Sequence, residues 1–281
     1  MAASAIRSLC ELPEYAQVLV NLVARDLKVK YARSALGFLW TLIYPALMLA
    51  IYMTVFGVVL RINIPVFWAY LVAGLIPFQF LSGAVVEGAR AIRSNGNLIR
   101  KIHFPLEILV VATVTAKLVE FLLQLAVAVV FLILLHHDPA SEVSLSLTKS
   151  AVVLPGAVLL LYVLALAIAL PLAAWSVIYR DVDHIIALGM TAWFYLTPIF
   201  WSIGIAHRHI GSAVRWFALN PALNVIELFR APLYAGDWPV NHALDGGGLS
   251  AWLVASAMCL GLLALGYYLF HRSRDILAEV V

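Results

Sequence analysis

The chain has 281 residues, of which 64% are hydrophobic and only 12% charged, with a formal net charge of +3. A soluble domain is nearer half apolar and about a quarter charged, and a chain this apolar lacks the polar surface to cover a water-soluble fold. The apolar residues come in long runs, not in the alternating segments of about ten residues that build a transmembrane β-barrel.

In chain order, residues 12–33 come first. Tyr15, Val18, Leu19, Leu22 and Val23 recur at helical spacing, with Glu14, Gln17, Asn21 and Arg25 between them. This predicts an amphipathic helix lying in the cytoplasmic membrane interface. The alternative is a short helix packed on its own bundle. No signal peptide is expected, because the first long apolar run starts only after residue 33.

Six apolar runs follow, over residues 34–60, 64–86, 108–135, 151–178, 185–205 and 251–270. About 20 such residues span a hydrocarbon core of roughly 30 Å, so the fold class expected is all-α, with six transmembrane helices. Pro45, Pro77, Pro155, Pro171 and Pro198 lie inside or near the ends of these runs and are candidate kinks. Cys10 and Cys259 are expected to be free thiols. The outer connection, residues 206–250, is too apolar for a solvated loop and too interrupted for a seventh span. Short re-entrant helices dipping into the outer leaflet are expected there, shielded by protein or lining a wet cavity.

Orientation follows from Lys and Arg in the connections. One side carries Arg7, Arg25, Lys28, Lys30, Arg33, Arg90, Arg93, Arg100, Lys101, Arg180, Arg272 and Arg274. The other carries only Arg61, Lys149, Arg208, Arg215 and Arg230. Both termini are therefore expected in the cytoplasm. The domain reading is a cytoplasmic tail and interface helix over 1–33 and a membrane domain over 34–270. That domain has an inner loop at 87–107 and an outer loop at 206–250, and a cytoplasmic tail follows at 271–281.

No ATP-hydrolysing motif is present. Gly83 and Gly88 have the spacing of a phosphate-binding loop but are followed by Ala89-Arg90, not Lys-Ser/Thr. Leu81-Ser82-Gly83-Ala84 mimics the start of an ATPase signature inside an apolar run. His136-His137 and His207/His209 have no cysteine or carboxylate cluster at ligand spacing and read as solvated loop histidines, so no metal is expected. Gly246-Gly247-Gly248 reads as an outer-loop hinge.

Two features lie inside the runs. Lys117 and Glu120 are three apart and share a helix face. Intramembrane charge raises a proton relay as one reading. A structural ion pair, with Lys117 snorkelling to the inner surface, is the expectation. Trp40, Tyr44, Met48, Tyr52 and Phe56 recur every fourth residue through the first run, and Trp193, Tyr195, Phe200 and Trp201 crowd the fifth. Rings with polar tips suit a sliding sugar chain, and the stripe runs the full depth of the membrane. These nine are the candidate channel lining; the alternative is a lipid-facing or interfacial belt.

Several stretches carry a family resemblance. They are Arg25-Asp26-Leu27-Lys28-Val29-Lys30-Tyr31 with Ser34, Leu36-Gly37, Trp40 and Pro45; then the stretch from Asn97 through Arg100-Lys101 to Phe104-Pro105-Leu106-Glu107. Next come Tyr179-Arg180-Asp181-Val182-Asp183-His184-Ile185, Thr197-Pro198-Ile199-Phe200, and Asn220-Pro221 with Arg230. Together, over residues 15–270, they resemble the ABC-2 type permeases that export polysaccharides, including O-antigen and teichoic acid exporters. The resemblance implies a multi-pass protein of the bacterial inner membrane, paired with a second copy of itself and with two copies of a separate ATP-binding subunit. Lipid-linked polysaccharide would be the cargo, and ATP and Mg would sit on the partner. No cofactor in this chain and no nucleic-acid partner are expected; membrane lipids surround it. It further implies that Arg25, Asp26, Lys28, Arg90, Arg93, Asn97, Arg100 and Lys101 couple the chain to that subunit. The rivals are an ABC-2 exporter of small lipids or drugs, an intramembrane transferase, which lacks a catalytic cluster, and a proton-coupled carrier, which would need more buried charge and internal repeats.

Overall fold

The computed structural model describes residues 15–32, 34–62, 64–100, 104–136, 153–179, 181–235, 240–241, 246–247 and 249–273. Cys10, Arg33, Lys101, His137, Lys149, Arg180 and Gly248 lie outside them. Helix α1 is Ala16–Tyr31, and α2 is Trp40–Tyr52, entered through a 3-10 turn and continued by a π-helical stretch, Met53–Val59. Helices α3, Phe67–Ser94, and α4, Glu107–His136, are joined past a one-turn helix, Gly96–Ile99. Then come α5, Leu154–Ile178, α6, Val182–Leu196, α7, Ile203–Ile210, and α8, Pro221–Arg230. A second π-helical stretch, Ala231–Ala235, leaves α8, and α9 is Leu249–Arg272. Between them Val240–Asn241 pairs antiparallel with Gly246–Gly247.

Among the described residues five helices are long and apolar enough to cross a membrane: Gly37–Val59, Phe67–Ser94, Glu107–Leu134, Leu154–Ile178 and Leu249–Arg272. The chain is thus a helical, multi-pass membrane protein. The fifth expected span differs from the run over 185–205. It is a helix of 15 residues that stops at Leu196. At 1.5 Å per residue it covers about 22 Å, short of a roughly 30 Å core. The physical reason is Pro198: a proline disfavours the helical region for the residue before it, and Thr197 is extended, φ −91° and ψ 133°. Elsewhere the prolines do not stop helices. Pro45, Pro77 and Pro171 lie inside α2, α3 and α5, and Pro155 sits in the first turn of α5, where its missing N–H is harmless.

The core lies along α3 and α5, which pack on each other; α4 flanks α3, α9 flanks α5, and α8 packs on both α3 and α5. Close approach needs small residues, as in membrane helix pairs generally. A side chain at Gly88 of α3 would meet the Ala169 methyl of α5 at 2.9 Å, and one at Gly266 of α9 would run into the Ala167 carbonyl. Helix α1 lays Tyr15, Val18, Leu19, Leu22 and Val23 against the core, on the α4 side. Of these Leu22 is buried and the other four are half-buried, so the helix packs on the bundle with part of its apolar face left open. By contrast α2 stands at the edge, with Leu47, Ile51, Val55 and Val58 exposed.

The end of the bundle where α6 stops and α8 starts is tied down by side chains. Asn220 caps α8, accepting from the N–H groups of Ala222 and Leu223 at 3.1 and 3.4 Å. It also accepts from Trp193 Nε1 at 2.8 Å and donates to Thr197 Oγ1 at 3.0 Å. One residue thus fixes the end of α6 to the start of α8. Val66 opens α3 in the left-handed region, φ 44° and ψ 50°, which a β-branched residue adopts only under constraint. Next to it Tyr234 donates to the Pro65 carbonyl at 2.8 Å.

Candidate functional site

A cavity of about 570 Å³ opens between α2, α3, α4 and α6. Trp40, Tyr44, Met48 and Tyr52 of the α2 stripe line it, because residues four apart share a helix face. Phe194 and Tyr195 of α6 line it from the other side, and Gln79, Ser82, Gln124 and Thr191 give it amides and hydroxyls. Gln124 also donates to the Thr41 carbonyl at 2.8 Å, tethering α4 to α2.

Met48 lines the cavity, and the eight candidate rings divide into three groups. Trp40 and Tyr44 stand in the cavity wall, 46% and 55% exposed. Tyr52 and Phe56 are engaged by other rings: Phe56 stacks on Phe200 at 4.4 Å, and Tyr52 meets Phe194 and Phe200 at 5.6 and 6.4 Å. Tyr195 packs on Phe200 at 5.6 Å. Trp193 and Trp201 are not with them. Trp193 turns toward Asn220 and Phe78, and Trp201 packs on Phe217 of the 3-10 stretch Gly211–Leu219 at 5.3 Å. The sequence reading missed Phe194, which joins the α2 rings to Phe200 at 5.8 Å. Its place between Trp193 and Tyr195 was the available signal.

At the end nearest the C-terminus of α1 the cavity is floored by charge. Lys117 and Glu120 do meet, at 3.5 Å, but each has a nearer partner. Glu120 accepts from Lys30 Nζ at 2.7 and 2.8 Å and from the Tyr31 hydroxyl at 2.8 Å. Lys117 pairs with Glu87 of α3. Four charges from three helices thus form one cluster. Burial lowers the Lys30 ammonium below its ordinary pKa, with the bond to Glu120 acting against it. Burial, then the bond to Glu120, raises the Tyr31 phenol. A second cavity of about 560 Å³ lies beyond the cluster, lined by Arg25, Asp26, Glu87, Arg90 and Asn95, and it shares Lys30, Lys117 and Glu120 with the first.

The candidate coupling residues gather at the same end. Arg25 donates to Asp26 at 2.8 Å and to Asn95 at 2.8 Å, joining α1 to the end of α3. Arg90 reaches Asp183 at 3.3 Å, and Arg93 also pairs with Asp183, joining α3 to α6. Lys28, Asn97 and Arg100 are exposed. Asp183, 8% exposed, was missed as the residue that gathers two arginines; its place in the first turn of α6 is favourable for an anion.

The histidines of α7, His207 and His209, are exposed, and no group of three potential metal ligands occurs among the described residues. At the end of α8 Arg230, 3% exposed, is held among protein groups. Nη1 pairs with Glu227 at 2.6 Å, Nη2 donates to the Pro198 carbonyl, and the guanidinium lies 3.9 Å over the Tyr70 ring. Gly74 makes room for it: a Cβ there would meet Nη2 at 3.0 Å.

The family described as ABC-2 type transporter matches residues 17–234. The "O-antigen export system permease protein RfbA" of Myxococcus xanthus is 31% identical over 98% of this chain and 100% of its own length. A protein of the same description from Klebsiella pneumoniae is 28% identical over 94% of this chain and 95% of its own. The "Polysialic acid transport protein KpsM" of Escherichia coli is 23% identical, over 76% of this chain and 80% of its own.

Proposed function

Because the chain belongs to the ABC-2 type transporter family, we propose that it is the membrane-spanning permease of an ATP-driven exporter for a lipid-linked polysaccharide. Two copies form the conduit, with two copies of a separate ATPase on the cytoplasmic side. The cargo is O-antigen-like or teichoic-acid-like; relatives named for O-antigen export and polysialic acid transport support a polysaccharide. The observation that carries the reading is the aromatic and amide-lined cavity between α2 and α6. A sugar ring offers one apolar face to an aromatic ring and hydroxyls to amides, so such a wall binds each residue of a polymer weakly and lets it slide.

The chain crosses the inner membrane six times, both termini cytoplasmic, as the excess of Lys and Arg on one side supports. In this reading α6 completes its crossing with the bent, non-helical segment after Thr197, and α7 and α8 dip into the outer leaflet. Burial of Val225, Ile226, Leu228 and Phe229 supports that embedding. The surface formed by Arg25, Asp26, Lys28, Arg90, Arg93, Asn97, Arg100 and Lys101 receives the ATPase, which holds ATP and Mg. Because Arg93 and Arg90 are tied to Asp183, a push on the inner loop reaches α6 and the cavity wall directly.

Purified chain alone is expected to hydrolyse no ATP, whereas its complex with the ATPase hydrolyses ATP and is stimulated by lipid-linked glycan. Hydrolysis by the isolated chain, with contaminants excluded, would overturn the reading. Stimulation only by small amphiphiles would turn it toward a lipid or drug exporter.

A further inference from the structure

The two cavities share three residues, Lys30, Lys117 and Glu120, and those residues are paired with one another across the boundary. We infer that this cluster is the closed inner gate of the conduit, and that α1 is the element that opens it. The inference rests on the exporter reading above.

The geometry separates wall from latch. Glu87, Lys117 and Glu120 sit on α3 and α4, which pack tightly together in the core. Lys30 and Tyr31 are the last residues of α1 bearing on Glu120, and α1 touches the bundle chiefly at α4. Moving the end of α1 therefore removes two of the three groups on Glu120 without disturbing the α3–α4 pair. It also carries away Lys30, whose side chain lines both cavities, so the charged partition thins to Lys117 with Glu87 and Glu120. The Lys117 stem lies across Gly83, 3.8 Å from where a Cβ would stand, so α3 leaves it room to shift. A charged partition is a strong barrier in a membrane because each ion, unpaired, would lose its compensation in a low-dielectric setting. The same end of α1 carries Arg25, bonded to Asn95 at the tip of α3, so the latch adjoins the proposed ATPase-facing surface.

The test uses the full permease–ATPase complex in proteoliposomes, with Cys10 and Cys259 replaced. Lys30→Cys and Glu120→Cys are bridged by a short bis-methanethiosulfonate reagent, which a reductant removes. The expected result is loss of ATP-driven glycan transport on bridging and its return on reduction, with the complex still assembled. Undiminished transport with nearly all chains bridged would overturn the gate. If the double-cysteine complex fails to assemble, the charge swap decides: Lys30→Glu with Glu120→Lys should recover transport lost in Glu120→Lys alone. A swap no better than the single change would also overturn the gate. If the unmodified complex moves no glycan either, the transport assignment fails, not the gate.

Discussion

Replacing Arg230 with Met is expected to destabilise the chain by about 3–5 kcal/mol, the range for removing one partner of a buried ion pair. Arg230 is 3% exposed and bonds Glu227, the Pro198 carbonyl and the Tyr70 ring at once. Its loss strands the Glu227 carboxylate, 12% exposed, and frees the bent segment after Thr197 that lies on the Tyr70 hydroxyl, which donates to Trp201 O at 2.8 Å. Lysine should not rescue it, since an ammonium is a compact charge without the flat, forked donor set that serves a carboxylate and a carbonyl while lying over a ring. Glu227→Gln in the Met background should recover part of the loss by removing the stranded charge. The check is the melting midpoint in detergent, with proteolysis near residues 197–202 as a local readout. An unchanged midpoint in Arg230→Met would show that the buried guanidinium contributes nothing net.

The second large effect concerns the rings, and the structure separates two outcomes. Trp40→Leu with Tyr44→Leu should leave abundance normal and lose or shorten the surface glycan. Both rings stand in the cavity wall with little protein against them, and leucine cannot stack on a sugar face. Tyr52→Leu with Phe56→Leu should instead lower abundance, because those rings hold Phe200 and Phe194. Each lost aromatic pair forfeits about 0.5–1.5 kcal/mol beyond its buried area. Membrane abundance, measured beside surface glycan, separates the two. Normal glycan in the Trp40/Tyr44 variant would return those residues to lipid contact.

Much of this was legible in sequence for a local reason. Spacing of four on one helix places Trp40, Tyr44, Met48 and Tyr52 on one face whatever packs against it, and the cavity indeed lies on that face. Long apolar runs likewise become helices because lipid leaves backbone groups no other partner. What failed to show depends on distant neighbours. Trp193 and Trp201 read as lining from local crowding alone, whereas the end of the helix at Leu196 and the bond from Trp193 to Asn220 depend on residues further along the chain. Glu120 showed only its neighbour at three residues; Lys30 and Tyr31, some 90 positions away, hold it more closely. Arg230 read as one more loop cation, and only the fold reveals it buried beside Gly74.

Transport itself tests the central claim most directly. The permease–ATPase complex is placed in inverted membrane vesicles, cytoplasmic face outward, and given ATP with radiolabelled lipid-linked glycan. The measurement is the label that becomes protected from an added glycosidase. The account predicts ATP-dependent protection that disappears when the ATPase partner is inactivated. Glycan that stays fully accessible while the complex hydrolyses ATP would contradict it.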